Sequence, residues 1–128
     1  MTSRVGQYCI SVADLEKSAA FYRDVLGLQE QQRISIPGAE EIILGAEGSD
    51  GKIQLAQRDD VVPPIDHGNA LWKLYLYCDD IEGICREVEA CGCKVVSAPQ
   101  RLEQWPVIVA FITDLDGYSI EVIERVKD

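Results

Sequence analysis

Five cysteines, one histidine and a lysine set among tyrosines are the residues of this 128-residue chain whose types could do chemistry. The cysteine count is odd, and Cys91-Gly92-Cys93 has a single intervening residue, whereas common zinc sites have two or more. Cys9 and Cys78 fall in strand-like alternation, and Cys85 and Cys91 fall on one face of a helical pattern. Buried reduced cysteine behaves as a small hydrophobe, so the expectation is inert core thiols, with Cys93 the one most exposed and reactive. His67 lies in a polar, Pro-containing stretch and is expected to be a solvated loop residue. One histidine cannot supply the two imidazoles of a two-histidine, one-carboxylate iron site. Lys73, Tyr75 and Tyr77 alternate with Leu74 and Leu76. In a regular strand these three side chains share a face, with Trp72, Leu74 and Leu76 opposite. Trp105 precedes a later strand pattern. Aromatic walls around a few fixed polar groups are the usual anatomy of a small-molecule pocket. They are equally the anatomy of a core, beside which a lysine stretches its ammonium to water.

The elements that must position these residues are announced by a repeat. Gln7-Tyr8-Cys9-Ile10-Ser11-Val12-Ala13-Asp14-Leu15-Glu16 is echoed 66 positions on by Lys73-Leu74-Tyr75-Leu76-Tyr77-Cys78-Asp79-Asp80-Ile81-Glu82. Asp50-Gly51-Lys52-Ile53-Gln54-Leu55 is echoed 66 to 67 positions on within Asp116-Gly117-Tyr118-Ser119-Ile120-Glu121-Val122. A period near half the chain means two modules and not a solenoid. Each module reads as strand, helix, then three strands. In the first, a strand over 5–12 meets Asp14, a helix N-cap whose carboxylate can accept orphan N–H groups. Leu15, Ala19, Tyr22, Val25 and Leu26 then follow helical spacing, and Gly27 ends the helix. Strands over about 29–36, 40–46 and 52–57 are separated by Pro37-Gly38 and Gly48–Gly51 turn chemistry. In the second module a strand over 72–78 precedes an Asp80-capped helix to about Ala90, with Ile81, Ile84, Cys85 and Val88 inward. Gly92 closes it. Strands are then expected near 94–97, 100–104, 107–113 and 118–124, with Asp114–Gly117 as the last hairpin turn. The modules span about 1–58 and 71–128, with a linker over about 59–70, in one α+β domain.

Composition narrows the function classes. There are 22 acidic and 12 basic residues, a formal charge of −10. That opposes nucleic acid, where basic surface supplies most of the affinity, and opposes anionic membranes. No apolar run approaches the roughly 18 residues of a membrane span. Met1-Thr2-Ser3-Arg4 leads directly into a strand pattern, so a cytoplasmic protein is expected.

Val12-Ala13-Asp14-Leu15-Glu16-Lys17-Ser18, with Phe21-Tyr22-Arg23-Asp24-Val25-Leu26-Gly27-Leu28, resembles the opening module of the vicinal oxygen chelate superfamily. This is the glyoxalase I, bleomycin-resistance and extradiol-dioxygenase group. Ala110 to Val122 resembles its closing signature, with Leu115 where that signature has proline. The resemblance implies two βαβββ modules curling into an incomplete barrel, a homodimer, and a divalent metal held by the first and last strands of each module. The implied ligand positions are Gln7, Gln54, Lys73 and Glu121, and the repeat pairs Gln7 with Lys73 and Gln54 with Glu121.

This set departs from the family's pattern of His or Gln, Glu, His and Glu. Gln54 lacks a carboxylate's charge. A protonated Lys73 has three donors and no lone pair, and cannot ligate a cation. The expectation is therefore a metal-free pocket in which Lys73 takes the ion's electrostatic place beside Glu121, with Gln7, Gln54, Tyr75, Tyr77 and Trp105 also binding a planar or amphipathic small molecule. Sequestration and an unassigned reaction, with Glu121 and Lys73 as its catalytic groups, are both open. One alternative is a divalent-metal lyase or isomerase such as lactoylglutathione lyase, using zinc, nickel or magnesium on Gln7, Gln54 and Glu121. Another is a metal-free enzyme with Lys73 as base or Schiff-base nucleophile. The single histidine excludes the dioxygenase branch.

Overall fold

The computed structural model describes residues 1–127; Asp128, the last residue of the expected second module, lies outside them. The chain divides into two compact units, Met1–Asp66 and His67–Asp128. Unit 1 contains β1 (Tyr8–Ser11), α1 (Leu15–Ala20, continued by a π-helical turn over Phe21–Val25), β2 (Gln29–Ile36), β3 (Ala39–Gly45) and β4 (Lys52–Arg58). Unit 2 repeats the plan with β5 (Leu74–Cys78), α2 (Ile81–Ala90), β6 (Val95–Arg101), β7 (Val107–Thr113) and β8 (Ser119–Arg125). The sheets run β1-β4-β3-β2 and β5-β8-β7-β6. In each, the first strand lies parallel to the last and the other pairs are antiparallel. This is the expected βαβββ module, twice.

The two helices start by the same device. The Asp14 carboxylate accepts the Lys17 N–H at 3.1 Å, and that of Asp80 accepts the Gly83 N–H at 3.0 Å. A second acceptor arrives from the module's last strand. Gln57 Oε1 takes the Leu15 N–H at 2.8 Å, and Glu124 Oε1 takes the Ile81 N–H at 2.9 Å. First-turn N–H groups have no helical partner, so these contacts tie each helix start to its sheet. At the other end, Gly27 and Gly92 carry φ of 77° and 86°, the left-handed region that glycine enters without steric cost.

Each sheet has a helix on one face and its site residues on the other. Ile42, Leu44 and Leu55 in unit 1, and Ala110, Ile112, Ile120 and Val122 in unit 2, are fully buried. Ile81, Cys85 and Val88 of α2 are buried with spacing of four and three. Ile84 is half-buried, short of the inward position expected of it. The widened turn after α1 places consecutive Phe21 and Tyr22 both inside, ring edge to ring face at 5.5 Å. A regular helix aims adjacent residues 100° apart, and a π turn relaxes that constraint.

Three elements differ from expectation. The two strands expected near 94–97 and 100–104 are one strand, Val95–Arg101, with register shifts around Ser97. It is an edge strand, so Pro99, lacking a donor, removes no ladder bond that matters. Residues 102–104 fall instead in the following loop. The first strand is Tyr8–Ser11, shorter than 5–12, because its only partner, β4, pairs with it over Ile53–Ala56. Likewise β5 starts at Leu74, so Trp72 and Lys73 precede the strand and escape its alternation.

Candidate functional site

The open face of unit 2 carries an ion pair. Lys73 Nζ donates to Glu121 Oε1 at 2.5 Å, and the two side chains are 11% and 13% exposed. Glu121 is placed by register: it pairs across to Tyr75 on β5 and Phe111 on β7. Three rings surround the ammonium, with centroids at 4.3 Å for Trp72, 5.0 Å for Tyr75 and 5.2 Å for Phe111. An ammonium over an aromatic face is attracted by the ring quadrupole. Lys73 is thus held by one carboxylate and three rings, and its side chain is mostly buried, not stretched into solvent.

The Trp72 ring therefore lies on the Lys73 side and not opposite it. Strand alternation was the ground for the opposite placement, and alternation does not reach back past Leu74. Phe111 was not foreseen. Its position opposite Glu121 follows from β7–β8 register, which no single strand pattern reveals. Trp105 lies in the loop before β7 with an exposed ring. Six residues separate it from Phe111, roughly 20 Å of extended strand, so it stands at the opposite end of the sheet from Lys73. Tyr77 shares the open face but pairs with Ile123, two positions beyond Glu121.

The hydrogen bond from Lys73 to Glu121 raises the lysine pKa above its ordinary 10.5, against desolvation, which lowers it. A raised folded-state pKa contributes stability that is complete below the unfolded value and is lost as pH climbs through the folded one. The stability advantage of the native chain over Glu121→Gln is therefore expected to shrink as pH rises beyond about 10.5. Urea unfolding of both proteins between pH 7 and 11 checks this. A constant advantage across that range would mean that the pair is not linked to lysine titration.

Unit 1 carries a relay of polar side chains on its open face. Gln7 Nε2 donates to Gln54 Oε1 at 3.0 Å, and Gln54 Nε2 donates to Glu41 Oε2 at 2.8 Å. The same carboxylate oxygen accepts the Cys9 thiol at 3.8 Å. Glu41 was missed, although its alternation with Ile42 on β3 places it opposite the buried face. It supplies the carboxylate that Gln54 lacks. Gln54 is held in place by neighbours at both ends of its amide.

The cysteines depart from expectation. Cys9 and Cys91 are exposed, not core. Cys93 is only partly exposed, and burial pushes its thiol up to about 12. The thiolate is the reactive form, so Cys93 is the wrong candidate for reactivity. Burial also pushes Cys78 up to about 11 and raises Cys9 and Cys85. His67 is exposed but not free. Its ring meets Tyr118 edge-on at 4.6 Å, and Nε2 donates to the Asp116 carbonyl at 2.7 Å. It braces the last hairpin turn. Arg33 is bidentate to Glu16 at 2.7 and 2.9 Å, and Arg58 pairs with Asp60; both are surface contacts.

The carboxylate of Glu121 is engaged by a tethered cation at the position where the resemblance puts a neutral imidazole, and the Gln54 oxygen is engaged by Gln7. Among the described residues, no three His, Cys, Asp or Glu side chains cluster as ligands. Among the same residues, no helix is long and apolar enough to cross a membrane.

Comparison with known proteins agrees with the fold. Residues 4–122 match the family described as Glyoxalase/Bleomycin resistance protein/Dioxygenase superfamily. A probable lactoylglutathione lyase of Synechocystis sp. is 32% identical over 119 residues, 90% of each chain. The lactoylglutathione lyase of Haemophilus influenzae is 30% identical, over 91% of this chain and 88% of its own. Among solved structures, a glyoxalase family protein from Bacillus cereus superposes with a TM-score of 0.85 at 18% identity, covering 99% of this chain and 97% of that one. An antibiotic-binding protein from Streptomyces sp. superposes at 0.74 with 22% identity, covering 97% of both.

Proposed function

Because the chain belongs to the glyoxalase/bleomycin resistance protein/dioxygenase superfamily, we propose that it binds a planar or amphipathic small molecule on the Lys73–Glu121 face without a divalent ion. The observation that carries this reading is the ion pair inside three aromatic rings. Opposite charges there leave no net charge for an ion to neutralise. The outer faces of Trp72 and Tyr75 are exposed, as a stacking surface requires. In unit 1, Gln7 and Gln54 present amide donors and acceptors on that unit's own open face. Sequestration of a small molecule needs nothing more than this. As a general base, Lys73 would need a lowered pKa, and Glu121 works the other way. A homodimer and a cytoplasmic location belong to the same proposal.

A second reading has its own support. The relatives named lactoylglutathione lyase are about 30% identical to this chain over nearly its full length. In that reading the chain holds zinc, nickel or magnesium, with Gln7 and Gln54 the candidate ligands of unit 1 and Glu121 that of unit 2.

Metal analysis of the purified protein separates the two, together with thermal shift under added zinc, nickel and a chelator. The expected result is no stoichiometric metal and an unmoved melting temperature. Stoichiometric nickel or zinc, with lactoylglutathione lyase activity that disappears on chelation, would overturn the metal-free reading.

A further inference from the structure

A concavity lies in unit 2, where β5 and β8 end. It measures about 570 Å³, within the range of roughly 300–1,000 Å³ typical of small-molecule sites. Its apolar wall is Tyr77, Ile108 and Ile123. Tyr77 is 74% exposed. The Val126 N–H donates to the Pro106 carbonyl at 2.7 Å, which anchors the backbone between Arg125 and Lys127, two residues of the cavity lining.

The charges around it are unevenly committed. Glu124 lines the cavity but accepts the Ile81 N–H at 2.9 Å. The Cys78 thiol is neutral, pushed up to about 11 by burial. Asp79 is the remaining carboxylate in the lining. Facing it are two cations, Arg125 and Lys127, and among the described residues neither forms an ion pair. Among the described residues five of the 12 cations form an ion pair; these two do not, and they stand beside an apolar wall. A guanidinium presents a planar fork that matches a carboxylate.

We propose that this cavity binds an amphipathic carboxylate, its aliphatic or aryl body against Tyr77, Ile108 and Ile123 and its carboxylate on Arg125 and Lys127. The site lies farther along the open face that carries Lys73 and Glu121: Tyr77 and Ile123 are two residues along their strands from Tyr75 and Glu121, roughly 7 Å.

Isothermal titration with octanoate, octan-1-ol and octyltrimethylammonium, three probes sharing an eight-carbon chain, tests it. Octanoate is expected to bind once per chain, about tenfold more tightly than the alcohol, and the ammonium more weakly than either. The double variant R125Q/K127Q, with the single Lys127→Gln as a milder second case, is expected to lower octanoate affinity to that of the alcohol. Binding that favours octyltrimethylammonium, or no binding of octanoate, would overturn the inference. So would octanoate affinity unchanged in both variants. Loss of octanoate binding in Lys73→Gln with retention in R125Q/K127Q would place the acid at the Lys73–Glu121 pair, overturning this inference while leaving the Lys73 reading standing.

Discussion

Replacing Lys73 with histidine is expected to raise zinc and nickel affinity on the order of a hundredfold or more over the native chain. Two changes act together. The ammonium, which has no lone pair, gives way to an imidazole that has one. The positive charge next to Glu121 also disappears, so the carboxylate is available to a cation. In unit 2 the substitution sets one nitrogen ligand beside one oxygen ligand, at positions whose side chains already meet, residue 73 just before β5 and Glu121 on β8. Competition against a chromophoric chelator measures the affinity, and adding Glu121→Ala to the histidine variant should abolish the gain. A histidine variant that binds metal no better than the native chain would show that the Lys73 ammonium does not set the metal affinity of this face.

Asp114→Ala is expected to destabilise the chain by about 2–4 kcal/mol, since two backbone donors lose their acceptor. Asp114 is 5% exposed, and its Oδ1 accepts the N–H of Asp116 and of Tyr118, both at 2.9 Å. Around it, the Asp114 N–H donates to the Tyr118 carbonyl at 3.2 Å, and Gly117 takes a φ of 86°. The turn is thus organised from a single carboxylate, and it leads directly into the strand that carries Glu121. Asp114→Asn keeps an oxygen in the same place and should recover most of the loss. Urea denaturation of the three proteins decides it; a loss below about 0.5 kcal/mol in the alanine variant, the scale of a neutral surface change, would mean that water replaces the carboxylate at no cost.

The repeat was legible because its period is written in local chemistry. Asp14 and Asp80 are N-caps, Gly27 and Gly92 are helix ends, and each has a mechanism confined to one turn of chain. Strand placement succeeded where the pairing register ran unbroken, as over Val107–Thr113. It failed at Val95–Arg101, because a bulged edge strand breaks the period without ending the strand. The paired acceptors Gln57 and Glu124, which tie each helix start to the far strand of its module, were invisible for a related reason. Each contact spans more than forty residues, and nothing in either segment marks the partner.

The candidate site divides the same way. That Lys73 cannot ligate a metal, and that Gln54 lacks a carboxylate's charge, follow from side-chain chemistry and needed no coordinates. The acidic balance, which turns the chain away from nucleic acid, is equally a property of composition. Only the tertiary structure brought Phe111 and Trp72 around the ammonium, set Glu41 against Gln54 and Cys9, and sent Trp105 to the other end of its sheet. It also exposed Cys9 and Cys91, and braced His67 against the closing turn. Atom types and one-turn signals travel with the residue itself. Which residues meet across a sheet depends on register, and register is decided by the packing of whole strands against a helix, which no single segment encodes.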